Sequence, residues 1–327
     1  MKVKKLLILW LSLALILSTC VLAAPKKVKN DPSKELYIEV SCLWNLEYFN
    51  DHKVGMKLAS DFLGVKTQTV GPAEWDIKAM VSEMERAIAK KPAGIVLFGA
   101  DPALNPMVKK AMNAGIPVVT VDADQPDSGR LAFIGTGNYA AGLQGADILA
   151  SMINKKGKVA IMSIPNQTNH QERIRGYKEG LAKYKEIQIV QIVDTGADAV
   201  KSAQVAAGVL EKYSDLAAII CTDSTGGAGA SMAVKDANKA GAVKIMAMDR
   251  GAEILQAIND GVISASIVQQ TCLMPYYAVV LMHNMKLGQY PVTSNNKAAK
   301  VTGSPVNIDT GTVIVDKSNV KFFMKKK

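Results

Sequence analysis

Aspartates, amides, an arginine and aromatic rings recur in this sequence just past its apolar runs. Asp122 and Asp124 follow residues 117–121, Asp223 follows 217–221, Asp249 follows 244–248, and Gln269 follows 265–268. Ser41 leads into Trp44, Asn45, Tyr48 and Phe49; Trp75 comes shortly after the run 65–70; Met162 leads to Asn166; Asn138 and Arg173 precede or open helical stretches. An ionised carboxylate only accepts hydrogen bonds, and it can take two hydroxyl donors at once. A guanidinium offers a planar fork of donors, and a primary amide both donates and accepts. Together with the flat apolar faces of the rings, these groups can hold a small hydroxyl-rich molecule without reacting with it. Each has a competing role. Asp122, Asp223 and Asp249 could cap the following helices, as Asp often does after a strand. Asn138 either binds or caps, and the rings could be core packing. Asp122 and Asp124 form an Asp-x-Asp pair, but calcium takes ~6–8 oxygens and no ligand loop follows. Ligand contact is therefore preferred to metal. Asp127 and Arg130 are expected to brace the loop as an ion pair, and Arg175 to be structural.

Catalysis finds no support in the pattern. The histidines, His52, His170 and His283, sit in no metal or nucleophile motif, and G-x-x-x-x-G-K-[ST], H-E-x-x-H and G-x-S-x-G are all missing from the sequence. Residues 135–142 only superficially match a dinucleotide loop, since the third glycine comes too late. Gly226-Gly227-Ala228-Gly229 opens a helix, where small residues ease close packing. No catalytic residue, cofactor or metal is expected.

The elements that must position these residues alternate along the chain. β-rich apolar runs lie at 36–41, 65–70, 94–98, 117–121, 132–135, 158–162, 187–193, 217–221, 244–248 and 265–268. Most are separated by stretches of helical period, at 54–63, 77–90, 107–113, 140–153, 173–183, 200–212 and 228–240. Continuous apolar strands between helices imply parallel sheets covered on both faces, a doubly wound α/β architecture. The length of 327 residues allows two such units. In open α/β sheets ligands sit beyond the carboxyl ends of the strands, which is where the polar residues gather.

The N-terminus reads differently. Lys2, Lys4 and Lys5 precede an apolar run over 6–17 and then small residues up to Ala24, the pattern of a secretory signal over 1–23, followed by a polar linker over 24–34. The run is shorter than the ~20 residues that span a bilayer. Val21-Leu22-Ala23 suits ordinary signal peptidase. Leu17-Ser18-Thr19-Cys20 resembles a lipobox, although Thr before the Cys departs from that pattern, and gives the alternative of a lipoprotein anchored at Cys20. Either route places the protein in the periplasm or at the cell surface. Cys42, Cys221 and Cys272 have no metal-like spacing and read as free thiols. The formal charge of +10 gathers largely in lysines near the two ends, without a basic stripe interleaved with aromatics, so nucleic acid is not an expected partner.

Several of these passages also carry a family likeness. Residues 115–124, Gly-Ile-Pro-Val-Val-Thr-Val-Asp-Ala-Asp, run through Pro126-Asp127-Ser128-Gly129-Arg130 to Ile134-Gly135-Thr136-Gly137-Asn138. Glu172-Arg173-Ile174-Arg175-Gly176-Tyr177, Ala247-Met248-Asp249 and Ala265-Ser266-Ile267-Val268-Gln269 follow in order. In this order and spacing, over nearly all of 35–320, the chain resembles type I periplasmic sugar-binding proteins. The resemblance implies two doubly wound parallel-sheet lobes joined by a three-crossover hinge that closes on a ligand. One lobe would hold 35–136 plus 270–300 and the other 137–269 plus 301–327, with crossovers near 136–138, 269–271 and 301–305. It implies an ABC-importer subunit that binds a monosaccharide or similar polyol, and with Asp122, Asp124, Asp223 and Asp249 set against Arg173 alone that ligand is expected to be uncharged; the alternative is a receptor for a furanosyl signalling molecule. An ABC permease is the implied partner, with a chemoreceptor or sensor kinase as further candidates, and the chain is expected to act as a monomer. Asp122, Asp249, Arg173 and the aromatics near Trp44 would then touch the sugar. One extra residue between Ser41 and the aromatic pair departs from the family pattern, and Asp223 stands where relatives often have Asn.

Overall fold

The computed structural model describes residues 31–324. The leader expected over 1–23, with Cys20, lies outside the described residues. In chain order the strands are β1 (Leu36–Val40), β2 (Lys66–Val70), β3 (Gly94–Phe98), β4 (Val118–Val121), β5 (Ala132–Gly135), β6 (Lys156–Ser163), β7 (Glu186–Asp194), β8 (Leu216–Cys221), β9 (Lys244–Met248), β10 (Ala265–Gln269), β11 (Asn307–Asp309) and β12 (Thr312–Asp316). They form two sheets. The first has the order β11-β5-β4-β3-β1-β2 and is parallel throughout. The second has the order β12-β10-β9-β8-β6-β7 and is parallel except where β12 runs against β10.

The central strands are apolar because helices cover both of their faces. Ile38, Val40, Ile95 and Leu97 pack with Met80 and Met84 of the Ile77–Ala89 helix on one side of the first sheet. Their neighbours Tyr37, Val96, Val119 and Val121 pack with Met274, Ala278 and Met282 of the Leu273–Lys286 helix on the other. That alternation is the two-residue period of a strand. The second sheet is buried in the same way, with Val159 and Ile161 against Leu149 and Tyr177, and Ala160 and Met162 against Leu210 and Val234.

The chain passes between the sheets after β5, after β10 and between β11 and β12. The passages are stitched to one another. Thr136 Oγ1 donates to Gln269 Oε1 at 2.8 Å, Gln270 Nε2 donates to the Thr310 carbonyl, and the Thr310 amide donates to Gly135 O at 2.8 Å. The third passage differs from the expectation at 301–305. Residues 307–309 pair with β5, so 301–309 stay with the first sheet and the chain crosses at Thr310 and Gly311. A three-residue strand, Asn-Ile-Asp, is too short and polar to show a strand period. Helix starts also move: the stretch expected to open at Arg173 begins at Thr168, which brings Asn169 and His170 into its first turn.

Candidate functional site: the cleft between the sheets

In each sheet the strand order reverses beside the first strand, with β1 between β2 and β3, and β6 between β7 and β8. Connections leave such a switch point on opposite faces and open a crevice at the carboxyl ends of the strands. A cavity of about 330 Å³ lies where the two crevices meet. The first sheet and the segments that follow its strands supply Tyr48, Phe49, Trp75, Phe98 and Asp122; the second's supply Asn169, His170 and Arg173 from the Thr168–Ala182 helix, Asp223, Asp249 and, at the end of β10, Gln269. The volume is at the small end of the ~300–1,000 Å³ usual for ligand pockets. The aromatic wall thus comes from one half and most of the hydrogen-bonding groups from the other.

Two carboxylates reach the cavity by the same backbone device. Asp122 directly follows β4 with φ of 66°, and Asp249 directly follows β9 with φ of 69°. Their amides donate to the next strand in each sheet, Asp122 N to Ile134 O at 3.2 Å and Asp249 N to Ile267 O at 2.8 Å. Left-handed backbone is uncommon outside glycine, and Asp and Asn tolerate it better than most residues. Each turn keeps its side chain where a glycine would leave nothing to bind with. Burial pushes the Asp249 carboxyl up to about 7, against the opposing pull of Arg173 and of the Gln269 hydrogen bond. Asp223 also caps a helix. Its Oδ1 accepts from Thr225 N, Thr225 Oγ1 and Gly226 N at the start of the Gly226–Asp236 helix. Its Oδ2 accepts from Thr195 Oγ1 at 3.0 Å. The capping role and a place in the cavity wall therefore coexist.

Arg173 is held from three directions. Its Nε donates to Asn138 Oδ1 (2.8 Å), Nη1 to the Thr222 carbonyl (2.7 Å) and Nη2 to Gln269 Oε1 (2.8 Å). Gln269 is the centre of the network, since its Nε2 donates to Tyr48 Oη and to Asp249 Oδ1, both at 3.1 Å. Tyr48 in turn donates to Asp122 Oδ1 at 2.9 Å. Burial first, then the negative charge of Asp122, keeps its phenol far above the ordinary value and so protonated. His170 sits three residues before Arg173, with Nδ1 3.0 Å from Thr222 Oγ1. Burial, reinforced by the Arg173 charge, drives its pKa well down, so the ring is neutral near pH 7. Arg173 lies where it does because the Asn138–Met152 and Thr168–Ala182 helices pack backbone to backbone. A Cβ on Gly142 would collide with Arg173 O, and one on Gly176 with Tyr139 O.

A family model described as periplasmic binding protein domain matches residues 43–289. The chain belongs to the periplasmic binding protein family. Among solved structures, a sugar ABC transporter sugar-binding protein from Bacillus halodurans is 34% identical, with a TM-score of 0.83 over 89% of this chain and 100% of that one. AraP, an arabinose-binding protein from Geobacillus stearothermophilus, is 33% identical, with a TM-score of 0.80 over 89% of this chain and 99% of its own. A D-ribose/D-allose-binding protein of Pseudomonas aeruginosa is 26% identical over 271 residues, 80% of this chain and 81% of the relative.

In this periplasmic binding protein the structure brings Asn45, Tyr48, Phe49, Trp75, Asp122, Arg173, Asp223, Asp249 and Gln269 to the cavity wall. Trp75 stands at its rim, 44% exposed and edge-on to Phe98, and Asn45 donates to Glu74 Oε1 at 3.1 Å. Four expected contacts lie elsewhere. Trp44 packs behind Phe49, at 5.8 Å between ring centroids and under Lys53, so it supports the wall without forming it. Asp124 turns away to accept from Arg130 and from Thr120 Oγ1. Arg130 therefore pairs with Asp124 and not with Asp127, and it also reaches Val306 O and Asn307 Oδ1 to pin β11. Asn138 positions Arg173, and Asn166 is exposed on the loop before the helix. Asn169 and His170 were not among the expected contacts. Asn169 is 8% exposed and its Oδ1 has no hydrogen-bond partner, an acceptor left open beside the cavity. Their spacing from Arg173, four and three residues, puts all three on one helix face once the earlier helix start is known.

Proposed function

We propose that this protein captures an uncharged monosaccharide, or a polyol of similar size, outside the cytoplasmic membrane and hands it to the permease of an ABC importer without altering it. The relatives' names supply the transport context and the sugar class. The charge of the ligand is read from the cavity wall, where Asp122, Asp223 and Asp249 face Arg173 as the sole cationic side chain among the described lining residues. Asp124 has left that wall and Asp249 is only partly charged near pH 7, yet Asp122, Asp223 and Glu74 still outnumber Arg173, and the neutral His170 does not correct the balance. An anionic ligand buried there would meet carboxylates it cannot pair with, and unpaired buried charge is costly. A hydroxyl-rich neutral ligand instead donates to Asp122, Asp249 and Asn169 Oδ1, accepts from the Arg173 fork, and lays its C–H face on the rings of the first lobe.

The deciding experiment is a thermal-shift panel of neutral pentoses, hexoses, inositols and furanosyl signals, followed by calorimetry on matched pairs such as glucose with glucuronate or xylose with xylonate. A ligand at about 100 times its dissociation constant stabilises by ~2.7 kcal/mol, which is readily detected. The neutral member of each pair should bind and the acid should not. Preference for the acid in any pair would overturn the assignment.

A further inference from the structure

Beside the cavity the two lobes are joined by contacts between residues that do not line it. Tyr48 lines the cavity, and it is flanked by Glu47, in the short 3-10 helix Glu47–Phe49, and by Asp51, in the first turn of the Asn50–Leu63 helix. Across the cleft Asp249 lines the cavity, and Arg250 follows it directly. The Arg250 guanidinium donates to Asp51 Oδ2, which also accepts from Thr271 Oγ1 at 2.8 Å on the second passage between the lobes. Glu47 Oε2 accepts from the amide of Ala252 at 3.2 Å. Ala252 opens the Ala252–Asn259 helix, whose own N-cap, Gly251, has no side chain to offer. A carboxylate of the first lobe thus caps a helix of the second, where an anion is favoured by both the free amides and the helix dipole. Both contacts link residues about two hundred apart in sequence and belonging to opposite lobes.

We propose that Glu47, Asp51 and Arg250 form a latch that sets how tightly the ligand is held, as positioning residues outside the ligand's reach. The apparent affinity of a closing protein scales with the population of its closed form. On this proposal the Asp51–Arg250 and Glu47–Ala252 contacts form as the lobes close, so they strengthen binding of every ligand by the same factor and leave discrimination between ligands unchanged. The Asp51 and Arg250 side chains are 30% and 43% exposed, so salt screens their attraction. This gives a signature that a neutral ligand would not otherwise produce: affinity for an uncharged sugar falls as ionic strength rises. The salt signature rests on the uncharged-ligand assignment above; the coupling between Asp51 and Arg250 does not.

Calorimetry with two sugars that bind, at about 20 mM and about 500 mM NaCl, tests this. Wild type should lose about two- to fivefold in affinity at high salt, the range of an exposed ion pair. Arg250→Ala should bind both sugars about two- to fivefold more weakly at low salt, with the ratio between them unchanged and most of the salt response gone. Glu47→Gln should weaken both sugars independently of Arg250→Ala. Asp51→Asn combined with Arg250→Ala should be no weaker than Asp51→Asn alone, which removes the ion pair and also perturbs the Thr271 contact. Wild-type affinity and salt response in Arg250→Ala would overturn the latch, and so would an altered ratio between the sugars, which would put Arg250 in the ligand site. If charged ligands alone bind, the uncharged-ligand assignment fails, and the Asp51–Arg250 cycle measured with those ligands still decides the latch: additive losses overturn it.

Discussion

Burial holds the Asp249 carboxyl near 7, and this has two consequences of known sign. In the unfolded chain an aspartate titrates near 4, so between about pH 4 and 7 the folded, ligand-free protein binds the extra proton and loses stability as pH rises. Asp249→Asn should therefore raise the melting temperature of ligand-free protein at pH 8 by an amount worth a few kcal/mol, at ~1.4 kcal/mol per pKa unit, and the gain should shrink toward pH 4. A ligand hydroxyl donating to Asp249 favours its ionised form, so binding should release a proton near pH 7 and tighten from pH 6 to 8. Calorimetry in buffers of different ionisation enthalpy measures this; proton uptake would contradict it. Arg173 shows how a binding residue becomes a structural one. Lysine in its place keeps the charge but cannot reach Asn138, Thr222 O and Gln269 together. With charge-assisted hydrogen bonds worth ~1.5–3 kcal/mol each, Arg173→Lys should weaken ligand binding at least tenfold and also lower the melting temperature. Calorimetry and thermal unfolding on the same samples read both effects.

The glycine seam between the Asn138–Met152 and Thr168–Ala182 helices operates at the scale of elements. Gly142 and Gly176 let the backbones meet, with Gly180 against Ala146 beside them, and so fix the height of Arg173 over the cavity. Gly176→Ala would push its methyl into Tyr139 O and force the helices apart. The expected cost is ~1–3 kcal/mol of stability, the usual range for overpacking, together with weaker ligand binding as Arg173 is displaced. Gly241→Ala is a control for backbone strain without crowding, because nothing lies within 4 Å of its added Cβ while its φ is 79°. It should lower stability without altering affinity. Equal affinity losses in the two variants, measured by calorimetry, would detach the seam from the site.

For the whole molecule, closure is the mode of capture expected from three passages between the sheets and a cavity lined by both. Saturating sugar should shrink the radius of gyration in solution scattering; identical profiles with and without a bound sugar would exclude hinge closure. Export is a separate property. Mass spectrometry of protein from its native cell should show residues 1–19 removed if Cys20 is lipidated, or 1–23 removed if Ala23 ends the leader. Full-length protein would contradict both.

Alternating apolar and helical stretches were enough to read two doubly wound units, because that pattern is written in local period and burial. The strand-end carboxylates were legible for the same reason: topology alone places those ends at a crevice. Local pattern could not say which way a loop side chain turns. Asp124 lies two residues beyond Asp122, and only the folded position of Arg130 draws it out of the cleft. Trp44 and Tyr48 occupy one aromatic segment and both meet Phe49 edge-on; the folded partners differ, Asp122 and Gln269 for Tyr48 at the cavity and Lys53 for Trp44 behind the wall. β11 has too few residues for any period and exists because β5 offers it an edge. The rim contacts of Asp51 with Arg250 and of Glu47 with Ala252 leave no trace in sequence, since they depend on the distance between two lobes that only the tertiary structure brings together.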